Sequence, residues 1–456
     1  MKILIKYFSI LAMIFLVSFQ LSCKKYLNKI PDKRLAVPTT LQDFRQLLDN
    51  NSLITNNPGI SDFGTDDIFL EFSFWETRAP LIKNAYIWAK NIHEGNPNYD
   101  WRYAYENIYI CNNVLEGLEG FTYNAHNLSE YNAIKGAAFF LRAFNHLNIQ
   151  EIFGQPFRPE SAATDLGIVL RLNTDLSQFP PRGSVKETFD QIIVDLEKAK
   201  DLLPSQIPTQ NLNRPSKPAA FALLARTYLI AQEYEKALEN ADSCLSIHDS
   251  LTNYNFISTT STSPFRPEIN EVLFMAWQVS YGQSSANVYI DTALYNSYSQ
   301  DDLRQQIYFS QNNVTDYYYL KGSYSSNTAA FAGLATDEIY LIRAECNARL
   351  GNLPKALEDL NYLLAHRWKT GTYTEFVTND VEVALAKILE ERRKELIWRG
   401  LRWSDLRRLN QDPRFAITLT RNLDGKLYVL LPNDPKYAYP IPDEEINLSG
   451  IVQNIR

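Results

Sequence analysis

The chain has 456 residues, 45% of them hydrophobic and 21% charged, which supplies a large core and excludes wholesale disorder. Lys and Arg number 45 against 52 Asp and Glu, a net charge of −7, and this argues against nucleic acid as the main partner because phosphate binding needs a basic face. With 27 Tyr, 24 Phe and 7 Trp the chain is rich in rings that either fill a helical core or grip a polar ligand by their faces.

Lys2 and Lys6 precede an apolar run from Tyr7 to Phe19, and Leu21-Ser22-Cys23 follows. A basic start, an apolar centre and a small residue before a cleavage point spell a secretory signal over residues 1–22. The run is short and broken by Ser9 and Ser18, so it does not read as a spanning helix. Leu-Ser-Cys resembles a bacterial lipobox, which would make Cys23 the acylated start of a tether over 23–39, ahead of a single domain over 40–456. No later apolar stretch reaches the roughly 20 residues a span needs, so lipid is the expected membrane attachment. Cys111, Cys244 and Cys346 are odd in number and widely spaced, which predicts buried free thiols rather than a disulfide framework or a metal pair.

Apolar residues then recur at helical spacing over 41–49, 101–118, 128–150, 185–203, 217–231, 234–247, 335–350, 354–367, 381–399 and 403–410. Thr39 and Thr40 precede the first of these and Ser184 the fourth, as N-caps should, and Pro204 closes the fourth. Two helix pairs resemble each other. A shift of 119 residues lays Ala344 and Ala356 on Ala225 and Ala237, with Lys-Ala-Leu-Glu shared by both pairs. Small residues 12 apart, one on each arm of a helical hairpin, let the arms approach closely, and the pattern resembles the tetratricopeptide repeat.

Two insertions interrupt this helical chain, near 58–100 and 251–334, both rich in Asn, Ser, Gly and aromatics. The first holds Phe72, Phe74, Trp75, Tyr86, Trp88 and Tyr99; the second holds Tyr281, Tyr289, Tyr295, Tyr298, Tyr317, Tyr318, Tyr319 and Tyr324, with one predicted strand over 271–279. Long irregular segments in a compact domain usually carry function. Trp75 and Tyr281 are the first candidates for a ligand platform, Tyr289 and Tyr295 the next, whereas Phe74 and Trp88 read as core.

Catalytic patterns are not found. His93-Glu94 lacks the second His of a zincin, and no Gly-x-Ser-x-Gly elbow, Walker loop or Gly-x-Gly-x-x-Gly occurs. Asp66-Asp67 and Asp443-Glu444-Glu445 read as exposed loop or helix-start carboxylates rather than a glycosidase pair. The run from Glu390 to Glu395, with Arg399, Arg402, Arg407 and Arg408, predicts ion pairs along one helix and across to the next. The chain is therefore read as no enzyme, with neither cofactor nor metal.

Ordered blocks together resemble the SusD/RagB family of outer-membrane nutrient-binding lipoproteins. They are Lys24-Lys25-Tyr26-Leu27 after the lipobox; Trp101, Tyr105, Ile108 and Asn112 on one helix; Lys135-Gly136-Ala137 through Phe153-Gly154-Gln155-Pro156; Arg182-Gly183-Ser184-Val185; Ala222 to Arg226; Glu338 to Glu345; Glu391 to Arg408; and Tyr439-Pro440-Ile441-Pro442. The resemblance implies a mainly helical fold of tetratricopeptide-like pairs, one large globular domain with aromatic-rich loop insertions and few short strands. It also implies a lipid-anchored protein on the outer membrane, facing outside, that hands an oligosaccharide or peptide to a TonB-dependent SusC-like transporter. The alternative is a peptide-binding or protein-interaction scaffold built on the same helical pairs.

Overall fold

In the computed structural model, which describes residues 38–265, 269–325 and 329–456, helices form wherever the apolar spacing asks for them. The signal, Cys23 and nearly all of the tether lie outside the described residues. The first part of the chain forms α1 (Leu41–Leu48), α2 (Ser52–Thr55), β1 (Ile68–Phe69), α3 (Phe72–Glu76), α4 (Pro80–Tyr86), α5 (Tyr99–Glu119) and α6 (Leu128–Phe153). The hairpin partners β2 (Leu166–Val169) and β3 (Arg182–Ser184) lead into α7 (Val185–Leu202), α8 (Lys217–Ile230) and α9 (Tyr234–Ile247). Next come β4 (Val272–Phe274), β5 (Tyr289–Ile290), α10 (Thr292–Asn296), α11 (Leu303–Tyr308), β6 (Phe309–Gln311), β7 (Tyr318–Leu320) and β8 (Leu334–Ala335). The chain closes with α12 (Thr336–Arg349), α13 (Leu353–Ala365), α14 (Val381–Glu395), α15 (Arg402–Leu409), the hairpin β9 (Leu419–Leu423) and β10 (Lys426–Leu430), and α16 (Asp443–Ser449).

The predicted caps are present. Thr40 accepts the Asp43 N–H while the Asp43 carboxylate accepts the Thr40 N–H, and Ser184 and Glu187 repeat the exchange at α7. In the core, α6 packs against α5 and α7. Its one central cation, Arg142, is satisfied by a two-pronged bond to Asp195 at 2.7 Å and a bond to Asn112 at 2.9 Å.

The helix pairs α8–α9 and α12–α13 are the two repeats, and they are neighbours in space, because α9 packs on α12. Ala225, Ala237, Ala344 and Ala356 are all fully buried where the arms meet. Both hairpins turn through one left-handed residue at the same repeat position, Gln232 with φ 61° and Gly351 with φ 80°. Arg226 ties the pairs together through a two-pronged bond to Glu338, at 2.6 and 2.7 Å. Everything between the pairs loops out as the second insertion.

The insertions are more ordered than their composition suggests. They contribute short helices and all four strands of the largest sheet, ordered β1-β5-β7-β6 and antiparallel throughout. Within the predicted strand over 271–279 only Val272–Phe274 is a strand, paired with β8; Trp277 and Gln278 make single bridges to Phe331 and Asn57.

Ion pairs fasten both insertions to α14 and its surroundings. Asp66 and Asp67, read from sequence as exposed carboxylates, are instead buried or nearly so and bound by Arg393 and Arg402 at 2.7 to 3.1 Å. Fully buried Arg304 bonds Asp302 at 2.6 Å, Glu391 at 2.5 Å and Glu395 at 3.0 Å. Arg367 bridges Glu395 at 2.8 Å and Glu271 at 3.0 Å, and Arg399 closes on Asp337 at 2.6 Å. The expected pairs within and beyond α14 are also present, Lys394 with Glu390 and Arg408 with Glu345 among them.

Candidate functional site

Two-residue β1 belongs to the first insertion and two-residue β5 to the second, and their pairing makes one surface of two segments far apart in sequence. Phe69 stands opposite Tyr289, Tyr289 opposite Tyr319, and Tyr319 opposite Ser310, so these four share one row across the sheet. Tyr317, two residues before Tyr319, points to the same side and packs at 4.9 Å from Phe69 and 5.1 Å from Tyr289. Tyr318 faces the other way and stacks on Tyr295 with ring centroids 3.7 Å apart. Beside Tyr319 lies a recess of about 200 Å³ lined by Thr262, Ser284, Ser310 and Lys321. The Lys321 ammonium donates to the Thr259 and Gln306 carbonyls, and burial lowers its pKa.

The four sequence candidates are distributed unequally over this region. Trp75 on α3 is half-buried; its Nε1 donates to the Lys83 carbonyl at 3.1 Å, the Lys83 ammonium lies 4.8 Å from its ring, and Phe72 packs beside it at 5.9 Å. Tyr295 is half-buried with one face taken by Tyr318 and an edge contact to Phe309. Tyr289 is only 1% exposed, enclosed by Phe69 and Tyr317, so its ring cannot itself meet a ligand; it supports the surface from beneath. Tyr281 is a fastener. Its hydroxyl donates to Asp100 at 2.9 Å, and the other oxygen of that carboxylate accepts the Gly59 and Ile60 N–H groups, tying both insertions to the start of α5. Burial pushes the Asp100 carboxyl up to about 6 against the pull of these three donors.

Sequence reasoning passed over Phe72, Tyr317 and Tyr319, which keep ring area accessible. Three consecutive tyrosines were the available signal, since a strand sends the middle one to one side and its neighbours to the other. Trp88 is buried in the core with its Nε1 donating to the Gly64 carbonyl, whereas Phe74, also read as core, is only half-buried, beneath Arg78 at 4.1 Å. Rings beside hydroxyls and an ammonium can take flat C–H faces and hydrogen-bond their polar rims. Among the described residues no group of three or more His, Cys, Asp or Glu side chains gathers to hold a metal ion.

Comparison with known proteins matches residues 25–229 to a family described as starch-binding, associating with the outer membrane, and residues 254–455 to the SusD family. A SusD-like protein P2 from Formosa agariphila is 30% identical over 141 residues, which is 31% of this chain and 25% of that relative, so the match spans a quarter of the relative's length. A SusD superfamily protein from Bacteroides thetaiotaomicron superposes with a TM-score of 0.75 at 21% identity, covering 91% of this chain and 100% of that one. A putative sugar binding protein from Bacteroides vulgatus gives 0.73 at 21% identity over 92% and 99% of the two chains. Surface glycan-binding protein A from Bacteroides fluxus gives 0.70 at 17% identity over 91% and 99%.

Proposed function

Since the chain belongs to the SusD/RagB family, we propose that it is a non-catalytic nutrient-binding lipoprotein of the cell surface that captures an oligosaccharide and passes it to a TonB-dependent SusC-like transporter. The observation that carries this reading is the aromatic face shared by the two insertions. Sugar rings present flat C–H faces that stack on aromatic rings, with hydroxyls left to bond at the edges. Trp75, Phe72, Tyr317 and Tyr319 are the rings assigned to that contact, with Ser310, Thr262, Ser284 and Lys321 as polar partners at the recess. Tyr295, stacked on Tyr318, lies on the opposite side of the sheet and backs the face rather than forming part of it. Lipidation at Cys23 would hold this face outside the cell on its tether. The related proteins named for sugar or glycan binding support the ligand class.

Calorimetric titration with panels of oligosaccharides and of short peptides tests the reading. An oligosaccharide is expected to bind, and Trp75→Ala with Tyr319→Ala is expected to abolish its binding while the melting temperature is kept. Binding of peptides alone, or turnover of any oligosaccharide by the pure protein, would overturn it.

A further inference from the structure

The recess at the end of the aromatic row differs in chemistry from the rings that lead to it. Beyond β7 the ladder continues for one more residue, because the Lys321 N–H donates to the Tyr308 carbonyl at 2.7 Å. Tyr317, Tyr319 and Lys321 therefore alternate along one extended segment and share a side, consecutive members being about 6.6 Å apart. The row of rings ends at an ammonium.

This ammonium is held in place but not neutralised. Its bonds to the Thr259 carbonyl at 2.6 Å and the Gln306 carbonyl at 2.9 Å use two of its three N–H groups. No carboxylate pairs with it among the described residues, and burial, unopposed by any nearby negative charge, lowers its pKa. The described acids of the second insertion are engaged elsewhere. Glu271 is bound by Arg367, Asp301 by Lys369 and Asp302 by Arg304, while Asp291 caps α10 and Asp316 takes the Gln311 amide in the β6–β7 turn. At the opposite end of the face Arg78 and Lys83 have Glu71 and Glu76 beside them on the same segment, so among the described residues the positive excess is confined to the recess. The remaining polar groups there are hydroxyls. Those of Thr262, Ser284 and Ser310 line the recess and make no hydrogen bond among the described residues, and each can donate one. An oxyanion only accepts, so it can take the last ammonium N–H and the hydroxyls together. A neutral sugar hydroxyl must donate as well, and it leaves the charge unanswered.

We propose that the recess binds an anionic substituent of the oligosaccharide, a uronate carboxylate or a sulfate ester, on Lys321, Thr262, Ser284 and Ser310, while a sugar ring lies on Tyr319. The proposal rests on the oligosaccharide reading of the aromatic face and adds the charge of the ligand to it. Two carbonyls fix the ammonium beforehand, which lowers the ordering cost that a free lysine side chain incurs on binding.

The test is titration of the full-length protein in phosphatidylcholine nanodiscs, with empty nanodiscs as background, against tetrasaccharides paired so that members differ only in charge. Polygalacturonate and polyglucuronate fragments are set against their methyl esters, and κ-carrageenan and sulfated fucan fragments against their desulfated forms. In at least one pair the anionic member is expected to bind about tenfold tighter than its neutral partner, and the pair that responds tells uronate from sulfate. Lys321→Gln should bring that pair level. Combined Ser284→Ala and Ser310→Ala should cut the ratio about threefold, and because those hydroxyls hold nothing in the protein this variant decides the matter even if Lys321→Gln fails to fold. Neutral members that bind as well as or better than their anionic partners, or a ratio that survives both variants, would overturn the anionic subsite and leave the oligosaccharide reading standing. Binding by no member, charged or neutral, would overturn both.

Discussion

Arg304→Ala strikes the junction between the second insertion and α14. The guanidinium is fully buried and serves three carboxylates at once, those of Asp302, Glu391 and Glu395. Its removal leaves Glu391 with Lys387 at 2.8 Å and Lys394 at 3.2 Å, and leaves Glu395 with Arg367 at 2.8 Å. Asp302 keeps only the backbone N–H of residue 304, at 3.1 Å. Taking one partner from a buried charge network costs about 3–5 kcal/mol, because the stranded charges stay out of water. The loss should depend on pH in a defined direction. Burial pushes the Glu395 carboxyl up, while Glu391, although desolvated, is held at about 2 by the charges of Arg304 and two lysines. Without Arg304 both carboxyls titrate higher in the folded state. A carboxyl raised above its unfolded pKa contributes stability that is complete below the unfolded value and is lost as pH rises through the folded one. The deficit should therefore be larger at pH 8 than at pH 5. Urea unfolding followed by tryptophan fluorescence at both pH values measures it, and hydrogen exchange of amides 289–320 locates it. A deficit below about 1 kcal/mol at pH 8, or one equal at both pH values, would refute the network as the anchor of the insertion.

Asp62 is 3% exposed, one of its oxygens has no partner, and burial with the nearby charges of Asp67 and Asp100 pushes its carboxyl up to about 8. Stability should thus fall as pH rises from about 4 to 8, by up to about 1.4 kcal/mol per pH unit from this group, and Asp62→Asn should flatten that slope in unfolding curves measured across the range. Gln232→Gly relieves the left-handed backbone at the first repeat turn, where the second repeat already has Gly351, and should stabilise by roughly 0.5–1 kcal/mol net of the lost Gln411 bond at 2.8 Å, read as a raised urea midpoint. Tyr281→Phe removes the hydroxyl bond to Asp100 and should cost about 1–2 kcal/mol of stability while leaving oligosaccharide affinity unchanged; a selective loss of affinity would return Tyr281 to the platform.

Elements whose cause is local are legible in the sequence. The apolar spacing of α6 and α7, the Thr40 and Ser184 caps and the alanine pairs of the two repeats all depend on residues within a few turns of one another. The charge run on α14 is legible as ion pairs for the same reason, but only where the partner is near. Asp66 and Asp67 meet Arg393 and Arg402 across the whole length of the domain, and no spacing rule reaches that far. Strands of two or three residues leave almost no periodic signal, so the joining of β1 to β5 is invisible there. The ring candidates depend on that joining. Register in the sheet, rather than composition, buries Tyr289 and leaves Tyr319 at the recess.

The pairing of Ile68 with Ile290 also sets a schedule. During synthesis at about 5–20 residues per second, the edge that β1 presents would wait roughly 10–40 s for β5 to emerge. Through that interval the newborn chain carries an unsatisfied strand and several bare rings, the condition in which intermolecular pairing competes with native closure. If the chain is exported as proposed, it should therefore depend on holdase chaperones until its second half is complete. Truncations ending before residue 289 should aggregate even though α5, α6 and α7 are whole.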